Sequence, residues 1–321
     1  MIAITMGDAN GVGPEIILKS HCADEITGEY VVIGDYSALR MVYTKLGCNF
    51  EMRCINKLTG YRPKALNIID LKRLKYRDMT PGKISEKVAA ASREYIVRAT
   101  EMTQSGVFDA VVTLPVNKEA IRLSDPEFTG HTELIAGLCG QENYTMMLVS
   151  KRLTVTHVST HVSMAQAMEL VKQERILNVI KLTYDALCRF IEQPRIAVAG
   201  LNAHAGEGGA FGRQEIDEIA PAIRSAKSTG IYAVGPISPD TVFQRCACGE
   251  FDAVVCMYHD QGHIPLKLLD FEGGVNVTLG LSVMRTSVDH GTAYDIAWQG
   301  KAHTGSFVSA FEYAKKIAKH A

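Results

Sequence analysis

Short apolar runs that stop abruptly in polar loops recur along the whole chain, and this pattern constrains the fold most. Ile2–Thr5, Tyr30–Gly34, Phe108–Val112, Leu153–Val158, Arg195–Leu201 and Ala253–Met257 each have the length of a buried strand. Between them lie helix-period stretches. Ser37–Leu46 is one, and Met164–Ile191 has room for two helices. Phe307–Lys319 is an amphipathic, basic-ended segment near the C-terminus. Ile84–Gln104 is the longest, with Ile84, Val88, Ala91, Tyr95, Ala99 and Met102 at three- and four-residue steps and Gly106 marking its end. Strands alternating with helices predict an α/β fold with a mostly parallel sheet. Residues 48–80 are the least periodic and read as strand and loop.

Composition narrows the possibilities further. The chain has 321 residues, enough for two domains, and a formal net charge of -1, so any anion site must be local and nucleic acid is not an expected partner. No apolar run approaches the roughly 20 residues that span a bilayer. The N-terminus lacks the features of a signal peptide. Eight scattered cysteines without C-x-x-C spacing point to reduced thiols in the cytoplasm.

The chemistry-bearing residues sit where the apolar runs end. In an open α/β sheet, ligands bind beyond the carboxyl ends of strands. The glycine-rich Gly7-Asp-Ala-Asn-Gly-Val-Gly-Pro-Glu15 either offers backbone N–H groups to an anion or is a plain turn. His161, His204 and His259 each follow a strand-like run. Singly, such histidines are structural or capping residues; together they suit a divalent ion with an open coordination position. Asp240 and Asp260 suit further ligands, acid–base groups or helix caps, and Lys267 and Arg285 suit an anionic substrate. Near Gly130-His-Thr-Glu133, Thr129 or Thr132 is the structural alternative as a helix cap. Serine-hydrolase, zincin and kinase signatures are absent. Phe108-Asp-Ala-Val-Val112 and Phe251-Asp-Ala-Val-Val255 are identical words, each delivering polar residues after a strand.

Taken in order, several segments resemble one family over nearly the whole chain. They are Gly7-Asp8 with Gly11-Val-Gly-Pro-Glu15, Gly130-His-Thr-Glu133, Thr160-His161, Leu201-Asn-Ala-His-Ala-Gly-Glu207, Tyr258-His-Asp-Gln-Gly262 and Arg285-Thr-Ser-Val-Asp-His-Gly-Thr-Ala293. Together they resemble the 4-hydroxythreonine-4-phosphate dehydrogenase (PdxA) family. Val288–Ile296 also resembles the adenosine loop of isopropylmalate and isocitrate dehydrogenases, with Asp295 keeping the acidic place and Tyr294 standing where proline is usual.

The resemblance implies a two-domain architecture like that of isocitrate and isopropylmalate dehydrogenases, with the active site in the interdomain cleft. Residues 1–129 with 288–321 would form the cofactor-side domain, and 130–287 the domain carrying metal ligands and the interface of a homodimer. It implies His161, His204 and His259 as ligands of one divalent ion (Zn, Mg, Co or Mn), one reaching across from the partner chain. His131, Thr132, Lys267, Asn276 and Arg285 would bind a phosphorylated acid. His290, Gly291, Thr292, Ala293 and Asp295 would dock the adenosine end of NAD. Lys118, Asp240 and Asp260 are the candidates for proton transfer.

The implied reaction is NAD- and metal-dependent oxidation and decarboxylation of a 4-phosphorylated four-carbon acid. After His259-Asp-Gln-Gly comes His263-Ile-Pro, which resembles the branch acting on 4-phospho-D-threonate or 4-phospho-D-erythronate. The pyridoxine-pathway branch carries an apolar Leu-Pro stretch there. His263 is therefore expected to contact the C2 hydroxyl of the substrate, with a plain loop role as the alternative. A metal-dependent hydrolase and a non-catalytic binder of phosphorylated acids are the readings of another class.

Overall fold

A computed structural model of the chain describes residues 1–270 and 273–319. They form two compact units, Met1–Glu142 with Leu281–Lys319, and Asn143–Gly280. The first unit begins with β1 (Ile2–Thr5), α1 (Gly13–Cys22), β2 (Tyr30–Gly34), α2 (Tyr36–Leu46), β3 (Met52–Cys54) and β4 (Leu66–Asp70). It continues through α3 (Glu86–Gln104), β5 (Ala110–Thr113), α4 (Lys118–Arg122) and α5 (His131–Cys139). The second unit holds β6 (Thr145–Val149), β7 (Thr154–His157), α6 (Met164–Leu170), α7 (Gln173–Leu187), β8 (Ile196–Ala199) and α8 (Ala220–Ser228). It closes with β9 (Ala233–Ile237), α9 (Val242–Ala247), β10 (Ala253–Cys256), α10 (His259–Leu269) and β11 (Val275–Leu279). The chain then returns to the first unit with β12 (Arg285–Val288) and α11 (Gly305–Ala318).

Among the described residues, the strands of the first unit run in the order β3-β4-β2-β1-β5-β12, every neighbouring pair parallel. Those of the second run β11-β6-β7-β10-β8-β9, with β6 antiparallel to both its neighbours and the other pairs parallel. The mostly parallel α/β class expected from the sequence is what forms. The reason for the unbroken apolar runs shows in the second unit. Ile196 and Val198 of β8, with Val255 of β10, pack against Ile176, Val179 and Ile180 of α7. The alternate residues Ala197, Ala199, Val254 and Cys256 pack with Val242, Cys246 and Leu266. A strand covered on both faces has no solvent side on which to place polar residues.

The units divide at 142/143 and 280/281, whereas the sequence reading put the divisions at 129/130 and 287/288. The shift follows from packing: α5 lies against α3, and β12 extends the first unit's sheet through β5. Residues 271, 272, 320 and 321, which fall within the expected domains, lie outside the described residues. The long helix starts at Glu86 rather than Ile84, because the Ser85 hydroxyl accepts from Val88 N and caps it. Ile84 is left outside the helix and half exposed instead of in the core stripe. Among the described residues no helix is long and apolar enough to cross a membrane.

Candidate active site

In the first unit, the end of β5 and the start of β12 are neighbours, and this register builds a cationic cluster. Arg285 pairs across from Val111. Its side chain reaches Thr113 at the last position of β5, with Nε and Nη2 donating to Thr113 Oγ1 at 3.1 and 2.9 Å. Nη1 donates to Thr132 Oγ1 at 3.2 Å. The guanidinium is buried, and burial lowers its pKa to about 10, with Glu133 acting in the opposite direction. His131, at the first turn of α5, has a buried Nε2 without a hydrogen-bond partner. Burial first, then the charges of Arg285 and Lys118, push its pKa down to about 3, so the ring is neutral at pH 7. Neither candidate threonine caps α5. Gly130 holds the N-cap position with no side-chain bond, which leaves Thr132 for Arg285. A buried guanidinium with a nearby lysine suits an anion, while the neutral His131 ring, bonded to the Leu114 carbonyl through its other nitrogen, leaves Nε2 as an acceptor for a hydroxyl.

The state of His131 has a measurable consequence. Unfolded, it titrates near its ordinary 6.5; folded, near 3. Between these values the unfolded chain takes up a proton that the native chain excludes, so stability falls as pH drops from about 6.5 toward 3. Urea midpoints measured between pH 7 and 4 should fall less steeply in His131→Asn than in wild type. Equal slopes would mean that His131 is not buried in the neutral form.

The expected cofactor residues occupy a loop after β12. His290, Gly291 and Asp295 are exposed, Thr292 and Ala293 are half-buried, and the space around the Gly291 Cα is open. The glycine loop of residues 7–15 turns out to serve this segment by packing against it. A Cβ on Gly11 would meet the Thr292 carbonyl at 2.8 Å, and Val12 N donates to that carbonyl at 3.0 Å. Close packing of Gly11 on the Thr292 carbonyl is a role beyond the two expected for these glycines, an anion loop or a plain turn.

In the second unit, α10 starts immediately beyond β10, and its first turn carries the imidazoles. His259 Nδ1 donates to Asp260 Oδ1 at 2.6 Å, which leaves Nε2 with its lone pair available. The His161 ring lies 5.6 Å from that of His259, centroid to centroid. His263 is not displayed as an open pocket residue. It is buried, its ring stacks on His259 at 3.5 Å, and its Nδ1 donates to the His259 carbonyl at 2.9 Å. His157, at the end of β7, has its ring 4.8 Å from that of His263 and a buried Nε2 without a partner. Gly262 makes this arrangement possible: a Cβ there would sit 2.6 Å from His157 Nε2 and 2.9 Å from Cys256 Sγ.

His204 lies in the loop that follows β8. Its described ring neighbour is Phe211, at 6.5 Å. It opens a left-handed run, His204 to Gly208, in which His204, Ala205 and Glu207 are non-glycine residues at φ 52°, 52° and 43°. Buried Glu215 braces the run. Its Oε1 accepts from Leu201 N and Asn202 N, both at 2.7 Å, and a Cβ on Gly206 would approach its Oε2 to 2.8 Å. Such conformations persist only where surrounding structure over-determines them. Among the described residues, no group of three or more His, Cys, Asp or Glu side chains in one chain is arranged to hold a metal. Asp240 is exposed and accepts from Ser238 Oγ at 2.6 Å. Asn276, on β11, has a buried Oδ1 without a partner, and Lys267 is half-buried in the last turn of α10.

A family model described as pyridoxal phosphate biosynthetic protein PdxA matches residues 27–314. The chain belongs to the PdxA family. D-threonate 4-phosphate dehydrogenase of Salmonella typhimurium is 42% identical, covering 99% of this chain and 98% of that one. The 4-hydroxythreonine-4-phosphate dehydrogenase of Geobacter metallireducens is 43% identical, covering 99% and 95%. A crystal structure of 4-hydroxythreonine-4-phosphate dehydrogenase from Klebsiella pneumoniae superposes with a TM-score of 0.90 at 43% identity, covering 99% of both chains. As a PdxA-family member the chain is an oxidoreductase of the dehydrogenase type, acting on a CH–OH group.

Within this PdxA-family chain, the sequence pattern does not single out Thr113, His157 or Glu215. Thr113 had a signal, being the first polar residue after the Phe108–Val112 run. His157 had none, because it lies inside a strand-like run and reads as core.

Proposed function

We propose that the chain is a cytoplasmic NAD- and divalent-metal-dependent dehydrogenase that oxidises and decarboxylates a 4-phosphorylated four-carbon acid, preferentially 4-phospho-D-threonate or 4-phospho-D-erythronate. The observation that carries this reading is buried Arg285, held by Thr113 and Thr132 beside the orphan nitrogen of His131. A buried cation gains most from a dianionic partner, and a guanidinium matches phosphate oxygens two at a time. Relatives acting on D-threonate 4-phosphate and on 4-hydroxythreonine 4-phosphate, by their names, stand at equal distance, which supports a phosphorylated four-carbon acid without choosing between them.

Within this reading, Arg285 and Thr132 take the phosphate, and His131, Lys267 and Asn276 complete substrate binding. His161, His204 and His259 suit a divalent ion chemically. The Asp260–His259 bond is the carboxylate–imidazole pairing that orients ligating histidines and raises their basicity. Two imidazoles are near each other in one chain, so a homodimer in which the partner completes the set fits the geometry. Exposed Val162, Met164, Met168 and Leu170, in and beside α6 and next to His161, would supply part of its interface. When bound, the ion would polarise the C3 hydroxyl and the nicotinamide would accept hydride from C3. Lys118 or Asp240 would take the hydroxyl proton. The resulting 3-keto acid would lose its C1 carboxylate as carbon dioxide, and the enolate left would take a proton at C2 to give dihydroxyacetone phosphate.

The test is the appearance of reduced nicotinamide absorbance with added divalent metal, using 4-phospho-D-threonate, 4-phospho-D-erythronate and 4-phosphohydroxythreonine. The hydroxy acids should exceed the amino acid in kcat/KM by about 5- to 150-fold, the worth of one polar contact at about 1–3 kcal/mol. Preference for the amino acid would assign the chain to the 4-hydroxythreonine-4-phosphate reaction. His263→Leu examines the residue behind this choice. Because His263 is buried against His259, it would act on selection through the ring it stacks on.

A further inference from the structure

We propose that Tyr294 is a positioning residue for the dinucleotide, its hydroxyl bonded to Asp8 so that residues 290–295 are held in the shape that receives the cofactor. This rests on the reading of that loop as the cofactor loop.

The bond is specific. Tyr294 OH donates to Asp8 Oδ2 at 2.7 Å, and the Asn117 side chain donates to the same hydroxyl. Both partners are fixed from behind. Asp8 is buried, and its Oδ1 accepts from Asn10 N at 2.8 Å. Asn10 is itself tied on both sides, with Nδ2 donating to the Lys83 carbonyl and Oδ1 accepting from Thr80 N. Asn117 Oδ1 accepts from Ala120 N at 2.8 Å and so caps α4. The tyrosine is therefore anchored to two braced points of the first unit.

The backbone around Tyr294 needs such an anchor. Ala293 sits at φ 42°, a left-handed conformation that a residue with a Cβ leaves unless it is held. On the other side, Trp298 is also left-handed, at φ 63°, and its indole N–H donates to the Ala9 carbonyl at 2.9 Å. The loop crosses close to two glycines: a Cβ on Gly82 would lie 2.6 Å from the Tyr294 carbonyl, and one on Gly11 would lie 2.8 Å from the Thr292 carbonyl. Val12 N donates to the Thr292 carbonyl and the Trp298 indole to the Ala9 carbonyl, whereas His290, Gly291 and Asp295 remain exposed. A loop pre-shaped in this way loses less conformational freedom on binding, and that saving appears as affinity for the ligand it contacts. A proline at this position would stiffen the loop through its own ring. Here the stiffness comes from an external bond, which mutation can remove without changing the backbone.

The chain's single tryptophan, Trp298, lies at the end of this loop, so a binding readout independent of turnover exists. The experiment titrates the metal-free and metal-loaded protein with NADH and follows quenching of Trp298 fluorescence, alongside steady-state kinetics. Tyr294→Phe, which keeps the ring and removes only the hydroxyl, should weaken NADH binding about tenfold, as expected for losing one charge-assisted bond. KM for the dinucleotide should rise in parallel, while kcat and KM for the phosphorylated acid stay within about threefold of wild type. Asp8→Ala should reproduce the defect, Asp8→Asn, which retains an acceptor oxygen, should largely restore binding, and the Asp8→Ala/Tyr294→Phe double variant should add little to either single change. Wild-type affinity in Tyr294→Phe, or an equal rise in both KM values, overturns the proposal. A wild-type protein that binds no dinucleotide overturns the cofactor-loop reading and the proposal with it. Should Tyr294→Phe fail to fold, the comparison of Asp8→Ala with Asp8→Asn decides by the same criteria.

Discussion

Replacing Arg285 with alanine should lower kcat/KM for the phosphorylated acid by on the order of 10²–10³, mainly through KM. The basis is the burial of the guanidinium and its fixed orientation by Thr113 and Thr132. Truncating one partner of a buried, hydrogen-bonded charge pair costs about 2–5 kcal/mol, and the substrate phosphate would be that partner. The fold should tolerate the change better than the function does. Burial already depresses the Arg285 pKa, so the cation sits at an electrostatic cost in the free protein, and alanine removes that cost along with the bonds. Two measurements separate binding from folding. Inorganic phosphate should raise the Tm of wild type but not of Arg285→Ala, and the kcat/KM of an unphosphorylated analogue should be the same in both. A variant that retains phosphate protection would remove Arg285 from the anion site.

His259→Ala should abolish turnover, by about 10³-fold or more, together with most bound divalent ion. A three-ligand site loses a third of its protein donors in this change, and catalytic metal sites have no spare ligand. Asp260→Asn makes the argument sharper. It preserves size and weakens the bond that sets the His259 tautomer, so metal affinity should fall by about 10- to 100-fold, the usual cost of losing such an outer partner. The readout is metal content after gel filtration and a competition titration with a chelator. Full metal occupancy in His259→Ala would end the ligand assignment.

Much of the architecture was legible from local pattern, because local physics produces it. The helix expected over Ile84–Gln104 forms at Glu86–Gln104, and the apolar runs Phe108–Val112 and Ala253–Met257 form the strands Ala110–Thr113 and Ala253–Cys256. Gly11 is different: its sequence context leaves an anion-binding loop and a plain turn equally open. The Thr292 carbonyl at the position of its absent Cβ is a fact about a segment some 280 residues away.

What the sequence by itself determined is the α/β class, the strand-end placement of the polar loops, and the family, through motifs that keep their order over the whole chain. These depend on neighbours within a few residues, or on order alone. Tertiary structure decided the rest. Arg285 finds Thr113 because β12 is paired with β5 in one register, and a shift by one residue would turn its side chain to the opposite face. His263, which sequence proximity alone would place in the substrate pocket, is turned by the helix against His259 at a spacing of four residues. Asp8 meets Tyr294 across most of the chain length. Pairings between distant segments are selected by how whole elements pack, and no local pattern encodes them.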